Sequence, residues 1–441
     1  MQNALDDNTF EKQNKKFIRI MFVGMLINLL FTLSQVYGQS IAAYLGVVLI
    51  IAYSVTIDEY SNLLLLIFLI PNQRDIVLLN SDITLINIVI GILFLKLLSR
   101  KGKLDIAQVM TVLAFSAYSL NIAFRLNSFS TFFIVIKSSF LIVTLTMFLK
   151  KYYINYNLYL LLIKSLVFGA ISAGLVGIIF NFNFLDRFNR FTAGVNNDPN
   201  IYGSILSFSI ANLIVLVFTG KLEKGKWQIP SFLILSVLGL LTQSRAFILT
   251  CLISFFFYFL FQRSIKNKAK IIVLGIAIFS MLFIIYTQFP ESGLGRIMYT
   301  TYNRFANPRN NDISGGRINL WMMYIGFLKD NFEYLLLGIG NSFRDFGFSS
   351  VAHNMIIDTL VIYGVIGFIF ICMLYFSLWK IVAKCSLYKS IKLRKRMIFM
   401  MPLLAMMVSN STLYDFFGMA FIIQVLISFL CMVVVPEKHL I

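Results

Sequence analysis

The sequence predicts an all-α polytopic integral membrane protein of about 14 transmembrane helices with one large extracytoplasmic loop. Three observations carry that expectation. First, 59% of the 441 residues are hydrophobic and only 13% are charged, where a soluble domain has roughly 45–50% and about 25%. Second, the apolar residues fall into runs long enough for helices of about 20 residues, the length that crosses a bilayer. Third, lysine and arginine recur between alternate runs, as cytoplasmic loops require. Disorder is excluded by the hydrophobicity. A soluble enzyme lacks support because too few polar residues exist to cover a water-facing surface. The formal charge of +19 would suggest nucleic acid on a soluble protein, so it is weighed against topology first.

The runs lie near 19–36, 41–57, 61–79, 83–98, 104–124, 130–149, 157–181, 201–219, 229–243, 246–262, 270–288, 355–379, 397–413 and 416–434. They lack the strict alternation of barrel strands, so each reads as a helix. The segment 61–79 is the weakest, because Pro71-Asn72-Gln73-Arg74-Asp75 interrupts it, and a re-entrant path is the alternative. The first run follows Lys15, Lys16 and Arg19 but is long for a signal peptide, and no clear cleavage site follows. With the N-terminus inside, 25 basic residues fall on the cytoplasmic face and 10 outside. The expected organisation is a bundle over 1–288 (about 11 spans), an outer loop over 289–353 with an amphipathic helix, and about 3 spans over 354–441.

The two faces differ in kind as well as number. The outer face carries Arg125, Arg187, Arg190, Arg245, Arg296, Arg304, Arg309, Arg317 and Arg344, with Lys329 the only lysine; the inner face carries twenty lysines and five arginines. Arginine presents a rigid fork to phosphate or carboxylate, whereas lysine suffices as a topological charge. An outer, arginine-lined site for a phosphate-bearing substrate is the functional reading; codon bias and chance is the other. Arg245, in Thr242-Gln243-Ser244-Arg245, joins two runs with almost no loop. An ionisable residue at that depth is a functional candidate by default, snorkelling being the alternative. Lys137 and Lys164 read as snorkelling or interhelical residues, and Asp58-Glu59 as a solvated cap.

Within the long loop, Ser314 is a plausible N-cap, after which Ile318, Trp321, Met322, Ile325 and Leu328 recur at helical spacing. That stripe predicts an amphipathic helix lying on the membrane or packed on the bundle. Its glycine-rich start with Arg317 offers a place for an anion. His353 is the only outer histidine. It is either a general base or a polar residue at a helix start. The four cysteines form no CxxC pair, and two histidines cannot build a multi-histidine zinc site. No D-x-D occurs, so a metal-free mechanism without cofactor is expected.

Taken together, Thr242-Gln243-Ser244-Arg245-Ala246, Gly316-Arg317 with Trp321, Gly338-Ile339-Gly340, His353-Asn354 followed by Leu360, Gly364 and Gly367, and Asn197-Asp198-Pro199-Asn200 resemble the O-antigen ligase/O-antigen polymerase superfamily. The match is collinear from about 190 to 380. The resemblance implies a glycosyltransferase of the bacterial plasma membrane that uses a polyprenyl-diphosphate-linked glycan on the outer face, making capsule, exopolysaccharide or O-antigen. It implies His353 as base and Arg245, Arg317, Arg187 and Arg190 as diphosphate ligands. Arg304, Asp198, Asn200 and Asn354 are further candidate substrate contacts. Implied partners are the lipid-linked donor, a glycan acceptor, the bilayer, a chain-length regulator and a flippase, with no nucleic acid. A ligase that transfers finished glycan is the near alternative. A lipid-linked oligosaccharide flippase is the alternative of another class, against which stand the single large outer loop and the lack of repeat halves.

Overall fold

Leucine-, isoleucine- and phenylalanine-rich runs, few of them holding a proline, favour continuous helices once the backbone has no water to bond, and helices are what form. The computed structural model describes residues 2–73, 84–100, 102–127, 129–152, 154–180, 191–193, 198–218, 227–261, 293–306, 317–348, 350–384 and 418–434, with isolated positions at 76, 404 and between 268 and 288. No β-strand occurs among them.

The helices are α1 (Gln2–Tyr37), α2 (Ser40–Thr56), α3 (Glu59–Leu69, continued as a 3-10 turn Ile70–Asn72), α4 (Leu85–Ser99), α5 (Ile106–Leu126), α6 (Phe129–Lys151), α7 (Tyr156–Phe180), α8 (Pro199–Phe218), α9 (Gln228–Leu241) and α10 (Arg245–Phe261). They are followed by α11 (Gly293–Ala306), α12 (Arg317–Asp330), α13 (Phe332–Leu337), α14 (Met355–Lys384) and α15 (Met419–Val434). Six of them are long and apolar enough to cross a membrane: Lys15–Tyr37 within α1, α5, α6, α7, Pro199–Leu216 within α8, and α14. Five shorter apolar helices join them: α2, α4, α9, Arg245–Leu260 within α10 and Met419–Val433 within α15. The expected spans 270–288 and 397–413 lie outside the continuously described stretches.

Helix α7 is apolar on all sides and buried along most of its length, with α1, α3, α8, α9 and α15 packed against it; such a helix belongs in a bundle centre. Around it, α1, α2, α5, α9 and α10 turn large apolar side chains outward, among them Phe22, Ile41, Ile106, Leu233 and Phe256. That much exposed apolar surface is what a lipid-facing perimeter looks like. The weak segment resolves into a short helix. All of Leu63–Ile70 is buried, and the chain reaches Asn72 beside Asn28, which in turn donates to Ser172 at 3.1 Å. Lys16 and Asp58 pair at the other end of α1 and α3, so Asn72 lies about 18 Å deep by helical rise.

One expectation about charge changes here. Asp58 is the cap of α3, accepting the Ser61 amide at 2.8 Å. Glu59 is not solvated. It is fully buried and bound by Lys151 at 2.8 Å, Arg100 at 3.1 Å and the Tyr152 hydroxyl at 3.0 Å. Sequence spacing shows a helix-start carboxylate but not the α4 and α6 ends that close over it. Lys164 is an interhelical residue, its ammonium 5.5 Å from the Trp227 ring.

A second, smaller core sits at one end of the bundle: Tyr324, Leu328, Ile339, Phe348, Ala352 and Val361. It joins α12, α13 and the start of α14. The packed face of α12 is Leu320, Trp321, Tyr324, Phe327 and Leu328, while Ile318, Met322, Met323 and Ile325 stay exposed. The buried stripe is thus rotated from the one the aliphatic spacing suggests. Aromatic area decides it: Tyr324 stacks on Phe348 at 3.9 Å and Phe327 on Tyr334 at 5.7 Å, and such pairs bury more surface than methionine or isoleucine would.

Candidate functional site

The N-terminal third of α14 is broken. Gly364 has φ 65° and ψ −179°, a conformation open essentially to glycine alone. The break releases two carbonyls, and the extended segment after α13 takes them: the Ile339 amide donates to Val361 O at 2.7 Å and Gly340 to Ile362 O at 3.0 Å. A Cβ on Gly364 would collide with the Leu336 carbonyl, so both chains approach because glycines face each other. The Tyr118 hydroxyl lies 2.9 Å from the carbonyls of both Leu337 and Tyr363 and serves one at a time. Arg125 completes the seam, donating to Gly338 O and to Glu333, both at 2.8 Å. One of the nine arginines expected on the outer face is therefore a structural clamp.

Above this seam stands His353, at φ 55°. Left-handed backbone is uncommon for a residue with a Cβ and persists only where the surroundings over-determine it. Here they do. The buried Asp58 counterpart at this end is Asp358, whose two oxygens accept the amides on either side of the histidine: Ala352 N at 2.7 Å and Asn354 N at 3.0 Å. The Trp321 indole donates to Ala352 O at 2.8 Å, and the Tyr324 hydroxyl to Ser350 O at 2.6 Å. Asn354 caps α14 through its side-chain oxygen, which accepts from Ile356 at 3.0 Å and Ile357 at 3.2 Å. That oxygen is committed to the helix start.

Burial holds the His353 imidazole below the ordinary histidine value of 6.5; the Arg317 guanidinium pushes it the same way, and the Asp198 carboxylate opposes them. Arg317 and Asp198 thus both bear on His353, although Asp198 lies 155 residues before it in the chain. Asp198 opens α8, accepting the Asn200 amide at 2.6 Å, with Pro199 as first helical residue; proline fits that place because no intrahelical donor is lost. The Asn200 side chain accepts the Ser244 hydroxyl at 3.3 Å, which ties the start of α8 to the α9–α10 turn.

That turn uses its polar residues locally. Thr242 closes α9 by donating to Gly239 O at 2.6 Å, Gln243 is left-handed at φ 49°, and Ser244 caps α10 by accepting from Phe247 at 3.4 Å. Arg245 follows as the first residue of α10, half-buried beside Ser244. The structure therefore brings together the 198–200, 244–245, 317 and 353 segments. Arg304 lies on α11, which packs against α9; its side chain, like Arg187 and Arg190 altogether, lies outside the described residues. Among the described residues, no three His, Cys, Asp or Glu side chains converge as metal ligands do.

Two residues escaped the sequence reading. The spacing of five between His353 and Asp358 carries no turn signal, because the bonds wrap around a left-handed residue. Tyr118 is one of 20 tyrosines and nothing local marks it.

No curated protein matches the chain. Residues 230–372 match a family model described as O-antigen ligase, covering α9 through the first half of α14 and so Arg245, Arg317 and His353. The resemblance read from the sequence is borne out over that segment, and it supports a membrane-embedded function of the O-antigen ligase/polymerase type, whose members are glycosyltransferase-like.

Proposed function

We propose that the chain is a glycosyltransferase that polymerises polyprenyl-diphosphate-linked oligosaccharide repeat units into surface polysaccharide (capsule, exopolysaccharide or O-antigen) on the outer face of the bacterial plasma membrane. The observation that carries this reading is His353. It is held in left-handed backbone by Asp358 and kept below its ordinary pKa beside Arg317 and Asp198. An imidazole that is neutral near pH 7 and fixed in place is suited to general-base work.

In the proposed step the acceptor hydroxyl oxygen forms a bond to the anomeric carbon of the donor. The bond from that carbon to the diphosphate oxygen breaks, and its electron pair leaves on the lipid diphosphate. The hydroxyl proton passes to His353. Arg317 and Arg245 supply fixed positive charge for the departing diphosphate, where a partly dry site strengthens each contact; Arg187, Arg190 and Arg304 are proposed as further donors. Asp198 steadies the imidazolium that forms. The donor arrives activated, so the scheme needs neither nucleotide nor metal, and a chain-length regulator and a flippase are its expected partners.

Transfer of finished glycan to a lipid or protein acceptor uses the same chemistry, and the family's description favours it as the second reading. Purified protein supplied with lipid-linked repeat units tests both. The polymerase reading expects long chains on the lipid carrier with wild type, and none with correctly inserted His353→Ala or Arg245→Ala. Full-length polymer from those variants sinks the site. Single-unit transfer to another acceptor identifies the ligase, and movement of lipid-linked units without bond formation identifies a flippase.

A further inference from the structure

At the opposite end of α14 from His353 is a cavity of about 650 Å3, lined by Asp105, Leu149, Lys150, Lys151, Tyr152, Ile154, Lys380, Ile381 and Lys384. Four lysines and one carboxylate line it. Lys150 pairs with Asp105 at 3.3 Å and Lys151 with Glu59 at 2.8 Å. Lys380 and Lys384 have no carboxylate partner among the described residues. We propose that this cavity binds the phosphate headgroup of an anionic phospholipid, with Lys380 and Lys384 as its principal ligands.

Three features argue for an anion and for a lipid as its source. Lysines in the last turn of a helix complement its dipole, which accounts for Lys384 but not for Lys380, a full turn earlier on the same face. Like charges four residues apart destabilise a helix, so two lysines at this spacing lining one cavity are accommodated best around an anion. Apart from Tyr152, the remaining wall is apolar (Leu149, Ile154 and Ile381), as a headgroup site needs where acyl chains leave it and as a free phosphate does not. Basic pockets between transmembrane helix ends are recognised sites for acidic headgroups. The cavity is about 45 Å of helix away from His353, and this assignment does not depend on the chemistry proposed for that end.

Thermal unfolding of the full chain in detergent tests the proposal, with phosphatidylglycerol, phosphatidylcholine or inorganic phosphate added. Phosphatidylglycerol is expected to raise the melting temperature, and the other two are not. Lys380→Gln/Lys384→Gln is expected to weaken phosphatidylglycerol binding roughly thirtyfold, from the usual contribution of two lysines at a headgroup. Asp105→Asn, which keeps a capping side chain for α5 but removes the competing carboxylate, is expected to tighten it. Equal stabilisation by phosphatidylcholine overturns the proposal, as does an unchanged response in the double variant. Equal stabilisation by phosphate overturns the lipid as source. Glycan transfer is not read in this experiment, so its outcome and that of the His353 tests are separable.

Discussion

The two ends of α14 use opposite ways of handling charge. At the Met355 end one carboxylate, Asp358, is buried and committed to two backbone amides, which fixes a histidine between them. At the Lys384 end, charges meet one another across helices, and two lysines remain without a carboxylate among the described residues. Backbone amides hold a group to a single geometry, whereas exposed ammoniums on four-carbon stems adapt to what arrives. The first arrangement suits the proposed reaction, which needs atoms placed to within a fraction of an ångström, and the second suits the proposed attraction of an anion.

The largest effect that would break this contrast is on transfer itself. His353→Ala is expected to lower turnover by about 10²–10⁴, the usual range for a general base, while Lys380→Gln/Lys384→Gln leaves it within about twofold of wild type; an assay of lipid-linked polymer length compares them. A similar loss in both variants would erase the distinction. Next is Gly364→Ala. Left-handed strain of roughly 1–3 kcal/mol adds to the collision with the Leu336 carbonyl, so the melting temperature in detergent falls and the 338–340 segment loses its seat.

Asp358→Asn separates positioning from folding. An amide of the same shape presents an NH2 group to one of the two backbone donors, leaving it unmatched at a cost of about 1–3 kcal/mol. Turnover is expected to fall by about 10² with KM for the donor little changed, and Asp358→Glu is expected to recover part of it. A change in KM alone would show that Asp358 does not act through His353.

Arginines at the His353 end sharpen the comparison further. Arg125→Gln removes two contacts of the seam and is expected to lower stability by roughly 1–2 kcal/mol without altering donor KM. Arg317→Gln is expected to do the reverse. The smallest effect is on pH dependence. A general base works when neutral, so activity is lost as pH falls through its pKa. Since burial and Arg317 depress that pKa, wild type retains activity below 6.5. Removing the Arg317 charge raises the pKa and moves the acid limb up; Asp198→Asn removes a group that raises it and moves the limb down. Shifts of the same sign in the two variants would contradict the arrangement.

Much of this was legible in the chain. Composition and run length suffice for a helical membrane protein, because a backbone without water has only helices or closed barrels open to it. The motifs around Arg245, Arg317 and His353 were visible as short polar interruptions of apolar sequence, and the matched segment 230–372 contains all three. Arg187, Arg190 and the spans 270–288 and 397–413 were equally legible but lie outside the continuously described residues.

What the sequence determines by itself is local: which segments are apolar enough to become helices, where polar residues interrupt them, and which residue types carry chemistry. What only tertiary structure decides is partnership. Arg125 and Arg317 are the same residue type, on the same expected face, yet one ties down a glycine seam while the other adds to burial in lowering the proton affinity of a histidine. Glu59 looks like a surface cap until Lys151 and Arg100 close over it from helices far along the chain. A side chain's role depends on which charges and amides lie within a few ångströms, and in a bundle those neighbours come from remote segments whose approach is set by packing rather than by spacing.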